Sequence, residues 1–384
     1  MERLRMRTAP DRRAVLDRTD HPLRLVIPIL ALVVLTSACG GDGPVSADPD
    51  PVREPSFTFL PAPGGSGGAA YSVGVDGVTV GWARDAAGRS LPVRWSSEGA
   101  VEVLSPASFT YGYATGVSND GTHVTGIIES EQGSLHAFRW STATGFDDLG
   151  AFGGSEAFTF RISDDGSTIA GASRGAGVSW EAVRWTTAGG LEVLGTLGGT
   201  QAFGYGTSAN GSIVVGTSSV EPGELLSRGF RWTSASGMVE LASATEGGAT
   251  AAEAISPDGA YIVGYGEVPG GEHRALVWTG TAGVTALASA GATYLRPRPA
   301  SVSADGSVIV GSDGPSVSFT DRRAVRWRLT GEAEDLNEVY AALIPAGWVL
   351  RTAWGVSADG RFIVGEAQAG EGTRPYRIDT TGGD

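Results

Sequence analysis

Carboxylates recur in this 384-residue chain at a spacing that could do chemistry. A Ser, one further residue and an Asp-Gly or Asn-Gly step repeat as Val117-Ser-Asn-Asp-Gly121, Ile162-Ser-Asp-Asp-Gly166, Ser208-Ala-Asn-Gly211, Ile255-Ser-Pro-Asp-Gly259, Val302-Ser-Ala-Asp-Gly306 and Val356-Ser-Ala-Asp-Gly360. Val73-Gly-Val-Asp-Gly77 is a weaker first copy. Such carboxylates could ligate calcium or form Asp-boxes. A calcium loop, however, needs alternating carboxylates with more oxygen ligands than these turns offer, and an Asp-box needs a downstream Thr-Trp that is missing. The residues fit a tight hairpin turn, for which Asp-Gly and Asn-Gly supply the left-handed backbone. Three histidines follow residue 38, His123, His136 and His273, in different units and without metal-ligand spacing. No metal and no cofactor is expected. All 28 basic residues are Arg, which excludes a phosphate-loop lysine, a Schiff-base lysine and a lysine general base.

The one cysteine, Cys39, carries the most specific chemistry. Seven arginines precede an 11-residue apolar run from Leu25 to Leu35. A membrane-spanning helix needs about 20 such residues, an export signal about 7–15. The run ends in Leu35-Thr36-Ser37-Ala38-Cys39-Gly40, which resembles a bacterial lipobox, the small-residue segment before a cysteine that becomes a lipidated first residue. Residues 1–38 are therefore expected to be a lipoprotein signal peptide, Cys39 the lipid attachment point, and residues 39–55 a disordered Gly/Asp/Pro tether. The expected address is a bacterial cell envelope, periplasmic or at the cell surface, with the membrane as a partner through the lipid. Net charge is −14, and −17 without residues 1–38, which argues against nucleic acid. With no cysteine pair, packing alone must hold the exported fold.

The elements that position the turns form a repeat. The seven turn glycines, Gly77, Gly121, Gly166, Gly211, Gly259, Gly306 and Gly360, are spaced 44, 45, 45, 48, 47 and 54 residues apart. Each unit resolves into four short strands: one ending at the turn, an apolar run such as Ile213-Val-Val-Gly216, a strand reaching a landmark Trp (Trp95, Trp140, Trp185, Trp232, Trp278, Trp327; Ile378 in the last unit), and one ending in Leu. Four strands per roughly 45 residues is propeller-blade geometry. The last unit stops after its third strand, whereas Phe57-Thr-Phe-Leu60 precedes the first unit as an orphaned fourth strand. The expected fold is all-β, one seven-bladed β-propeller over residues 56–384, with the N-terminal strand completing the last blade and so removing exposed edges.

Charge follows the same repeat. Arg94, Arg139, Arg184, Arg231 and Arg326 precede the landmark Trp, and Glu102, Asp147, Glu192, Glu240 and Glu334 stand on the fourth strands of those units. The fifth unit has Val277 in place of Arg and lacks the acid as well. A cross-strand Arg-carboxylate pair is expected in each of the five blades, because a charge between packed sheets is tolerated only with a partner. Arg377, in the seventh, needs another acceptor.

At His136-Ala137-Phe138-Arg139-Trp140 the pattern resembles the HAF-repeat family of predicted extracellular bacterial repeat proteins. The resemblance covers nearly all of residues 56–384. It implies an exported propeller-like protein and transfers no functional residues.

The recurrent Trp residues are read as intersheet core. Trp82, Trp180, Trp348 and Trp354 break the repeat; Trp82 and Trp180 are placed in the loops between second and third strands and are the candidates for ligand contact, together with His136, Glu129 and Glu131 on or beside an acidic loop. The leading reading is a non-enzymatic, monomeric binding module for an unknown protein or glycan. The alternatives are a polysaccharide hydrolase or lyase, which would need two carboxyls about 5–9 Å apart near the channel, and a scaffold of an envelope complex.

Overall fold

The computed structural model describes residues 53–175, 179–222, 227–281, 283–291, 297–315 and 321–381. The signal segment, Cys39 and all but the last three residues of the tether lie outside the described residues.

Seven antiparallel sheets of four strands each follow one another as the blades of a propeller. Blade 1 comprises Gly64–Val73, Thr79–Asp85, Ser90–Trp95 and Val101–Val103. The first strands of the remaining blades are Gly112–Val117, Glu156–Ile162, Ala202–Thr207, Thr250–Ile255, Arg298–Val302 and Val349–Val356. Blade 7 is completed by Ser56–Phe59, which pairs antiparallel with Gly372–Asp379 and sets Phe57 opposite Ile378. The borrowed strand keeps the register of the repeat. Leu60 N donates to Pro375 O at 3.0 Å as Leu104 N donates to Pro92 O at 3.0 Å in blade 1. The long last spacing holds a short helix, Leu336–Val339, capped by Asp335, whose side chain accepts from Asn337 N.

The repeated turn closes on itself. Ser163 Oγ donates to Asp165 Oδ1 (2.7 Å), that oxygen accepts from Ser167 N (2.8 Å), and Ser163 Oγ accepts from Thr168 N (2.9 Å). The same set recurs around Asp258 and Asp305. The Ser256 hydroxyl holds the Asp258 carboxyl below the usual carboxylate range, and Ser307 N does the same for Asp305. These carboxylates are spent inside their own turns.

Landmark tryptophans fill the spaces between blades. Trp95, Trp278 and Trp327 are fully buried, and their indole N–H groups donate to Pro61 O (2.7 Å), Ala242 O (2.6 Å) and Ala288 O (3.0 Å) in the crossovers between blades. Each ring thus contributes apolar burial of roughly 2–3 kcal/mol while its one polar atom is satisfied.

The arginine ahead of the landmark does more than face a carboxylate. Arg94, Arg139 and Arg184 donate to Gly121 O (3.2 Å), Gly166 O (2.9 Å) and Gly211 O (3.3 Å), the turn carbonyls of the next blade. Arg377 donates to Gly77 O across the closure, and to Ser96 O and Ser97 O. Arg94 and Glu102 approach to 3.8 Å, Arg184 and Glu192 to 2.6 Å, Arg326 and Glu334 to 2.7 Å. Arg139 stands opposite Asp147 in register, while the neighbouring Asp148 meets His136 at 3.2 Å. Blade 4 corrects the expected pairing. Glu240 stands opposite Phe230, which places it diagonally from Arg228 on the same face, and the two meet at 3.2 Å. Arg231, one residue further, faces the other side opposite Val239.

Candidate functional site

Near its turn, every first strand contains one residue more than its partner can pair; the first strands of blades 1 and 7 carry a second irregularity further from the turn, at 65–67 and at Arg351. The register skips Tyr71, Thr115, Phe160, Tyr205, Glu253, Ala300 and Trp354, one per blade, always three residues before the turn Ser or its equivalent. These are β-bulges, which re-aim a side chain out of the ladder's alternation. All seven line one cavity, to which every blade's first strand contributes: the central channel.

The bulge explains the second repeated glycine. Gly81, Gly126, Gly171, Gly216, Gly264, Gly311 and Gly365 stand on the second strands, opposite the residue just before the skipped one. A Cβ on Gly216 would lie 1.8 Å from Phe203 O, and one on Gly126 2.2 Å from Tyr113 O. The scaffold is therefore constant where it makes the bulge and different in each blade at the residue the bulge presents.

The channel cavity has a volume of about 360 Å³. One wall is aromatic: Phe160 and Tyr205 lie 4.9 Å apart, Phe203 and Tyr205 stack at 5.9 Å, and Phe158 and Phe160 stack at 6.4 Å. Across the channel, Tyr71 stands edge-on to Trp354 (5.8 Å) and to Tyr113 (6.3 Å). The Tyr113 hydroxyl is in a close hydrogen bond with that of Tyr111. Burial raises the phenols of Tyr71 and Tyr113 well above their ordinary range, so neither is an anion at neutral pH.

Charge enters from three blades. Glu253, on the first strand of blade 5, meets Arg298 of blade 6 at 3.3 Å. Burial pushes the Glu253 carboxyl up, opposed by Arg298. Arg161 of blade 3 reaches across the bore, donating to Thr115 O (3.0 Å), Phe160 O (3.1 Å) and Ala300 O (3.2 Å). Desolvation lowers its guanidinium to about 10, which leaves it a cation at neutral pH. A smaller cleft of about 190 Å³ lies at the junction of blades 7 and 1, where Arg361 and Asp379 pair at 2.7 Å.

Trp82 and Trp180 are strand residues, which corrects their placement in loops. The second strand of blade 1 runs on through Trp82 to Asp85, and Trp180 opens the third strand of blade 3. Trp82 Nε1 donates to Tyr71 Oη at 3.1 Å. The Trp180 ring lies 5.1 Å from Phe158 and 5.7 Å from Phe203. Both therefore back the channel wall. Glu129 ends the second strand of blade 2, Glu131 is exposed in the following turn, and His136 is on the third strand, bonded to Asp148. None of these three is among the described residues that line the cavity. The bulge position itself escaped the sequence reading. Its signal was present: three residues before each turn Ser or its equivalent, a repeat otherwise rich in Ala and Gly carries Tyr, Thr, Phe, Tyr, Glu, Ala and Trp in turn.

Fold and channel together define a seven-bladed β-propeller with a chemically differentiated bore. Neither a family model nor a curated protein matches the sequence. Solved structures resemble the fold. The chain is similar to the β-propeller domain of the trilobed protease from Pyrococcus furiosus, with a TM-score of 0.53 and 10% identity, over 81% of this chain and 93% of that one. It is similar to virginiamycin B lyase from Staphylococcus aureus, with a TM-score of 0.51 and 12% identity, over 85% and 99%. A puromycin hydrolase aligns at a TM-score of 0.52 and 14% identity, over 82% of this chain and 52% of the hydrolase.

Proposed function

We propose that the protein is a non-enzymatic binding module of the bacterial cell envelope, anchored by a lipid on Cys39, that takes a small ligand into its central channel. The observation that carries this reading is the ring of seven bulges. An invariant device in each blade aims one side chain at the bore, and those side chains differ in size, polarity and charge. A purely structural bore has no need of that variety, whereas a binding site uses a mostly apolar lining with a few convergent polar groups. The repeat pattern, with its resemblance to exported HAF-repeat proteins, and the lipobox-like segment support the address.

A two-carboxylate hydrolase is the weaker reading. Glu253 is the one carboxylate among the described residues lining the cavity, and Arg298 already engages it. The test is a thermal-shift screen of the full chain in detergent against aromatic acids, glycans, peptidoglycan fragments and envelope extracts, repeated with Trp354→Ala and Tyr205→Ala. A ligand whose stabilisation disappears in both variants supports the channel reading; hits indifferent to both would refute it.

A further inference from the structure

Arg161 occupies a position held by small residues in the other six blades. Immediately after the skipped residue stand Ser72, Gly116, Gly206, Ala254, Ser301 and Gly355, against Arg161 in blade 3. Six small residues leave room for one guanidinium. Its bonds run to blade 2 at Thr115 O and to blade 6 at Ala300 O, so it lies across the bore close to the turn end and floors the cavity.

Among the described residues, the hydrogen bonds of Arg161 run to neutral carbonyl oxygens. The carboxylate that acts on it, Glu253, is in contact with a second guanidinium, Arg298. Arg322 adds a third cation near Arg298, with Asp313 beside it. A partly buried guanidinium on the wall of a cavity gains much from an anion that reaches it, because solvent screens that charge less than it would at the surface. The walls above the floor are rings: Phe158, Phe160 and Tyr205 on one side, Tyr71, Tyr113 and Trp354 on the other. Two of the three tyrosine hydroxyls are already engaged. Tyr71 accepts from Trp82, and Tyr113 pairs with Tyr111. Thr115 donates to Thr125 O at 3.3 Å and Thr159 to Gly126 O at 2.9 Å. A sugar would bury several hydroxyls against this surface without partners, which is costly, whereas a flat apolar ring would not.

We infer that the channel binds a small aromatic carboxylate, its ring between the two aromatic walls and its carboxylate against Arg161 and Arg298. The inference rests on the channel being the binding site and goes further by fixing the ligand's chemistry.

Calorimetric titration of the full chain in detergent with 4-hydroxycinnamate, its methyl ester and glucuronate tests it. The expected result is binding of the acid, at least tenfold weaker binding of the ester, and no binding of glucuronate. Arg298→Gln and Arg161→Gln should each weaken the acid at least tenfold and leave the ester unchanged. If Arg161→Gln does not fold, the ester comparison on the native protein and Arg298→Gln decide. Equal binding of acid and ester, binding of glucuronate in place of the aromatic acid, or binding of none of the three would overturn the inference. The wider reading of the channel as a binding site would fall separately, through the screen described above.

Discussion

Glu366, on the second strand of blade 7 opposite Thr352 and Pro375, is a half-buried carboxyl whose proton affinity burial raises to about 7. Its charge acts on Tyr71 in the channel and on the buried Tyr376. In the unfolded chain the same carboxyl releases its proton near 4.5. Between these two values the folded protein holds a proton that the unfolded chain has lost, so stability falls as pH rises through this window. It is undiminished below about 4.5 and levels off above about 7. The gap corresponds to about 3 kcal/mol at its full extent, at about 1.4 kcal/mol per pH unit. Glu366→Gln keeps the shape and stays neutral. The variant should melt close to wild type at pH 4.5 and several degrees higher at pH 8, since each kcal/mol moves the midpoint by about 2–4 °C or less in a chain this long. Calorimetric or fluorescence melting of both proteins at half-unit steps from pH 4.5 to 8 measures the difference. A gap in melting temperature that does not change with pH would refute the reasoning, because a packing effect of the amide has no reason to follow the titration of a carboxyl.

Removing residues 56–63 strips Phe57, Phe59 and the fully buried Leu60 from the seventh blade and exposes the edge of Gly372–Asp379. At about 1.5–3 kcal/mol for each fully buried apolar side chain, the loss should reach about 5 kcal/mol; an unchanged melting temperature would sink ring closure as a source of stability. Gly216→Ala should be severely destabilising, since its Cβ would fall 1.8 Å from Phe203 O, whereas Gly372→Ala, whose nearest contact is 3.4 Å, should melt within a degree or two of wild type. Cys39→Ser should move the protein from membrane to soluble fractions on cell fractionation, and retention in the membrane would mean a different anchor.

The fold was legible because the turn and the final Leu recur in every blade and the landmark Trp in six of the seven, and a periodic signal survives local noise. Closure was legible for the same reason: one strand was missing at Ile378 and one was spare at Phe57. The channel was harder to see. Tyr71, Tyr205 and Glu253 occupy the same place in their units and differ only in chemistry, so nothing marks them as breaking the repeat, whereas Trp354 stands out as a repeat-breaking Trp but not as a channel residue. A bulge also leaves no mark in an alternating pattern beyond one extra residue, which the eye assigns to the turn. The Arg-carboxylate rule overlooked that Arg94, Arg139 and Arg184 also meet the next blade, where Gly121 O, Gly166 O and Gly211 O compete for their donors. In blade 4 a one-residue shift of register was enough to hand Glu240 to Arg228.

The borrowed strand has one further consequence. Leu60 docks on Pro375 O by the bond that Leu104 makes to Pro92 O, so the edge it seals looks much like any other third strand in the ring. An opened molecule therefore offers an acceptor edge and a donor strand that suit another copy as well as itself. What keeps the exchange internal is the local concentration of a strand already joined to blade 1 by a few residues, on the order of millimolar for a short connection. Partly denatured protein at comparable concentrations is where rings would begin to trade strands, linking molecule to molecule through the same four residues that otherwise isolate each one.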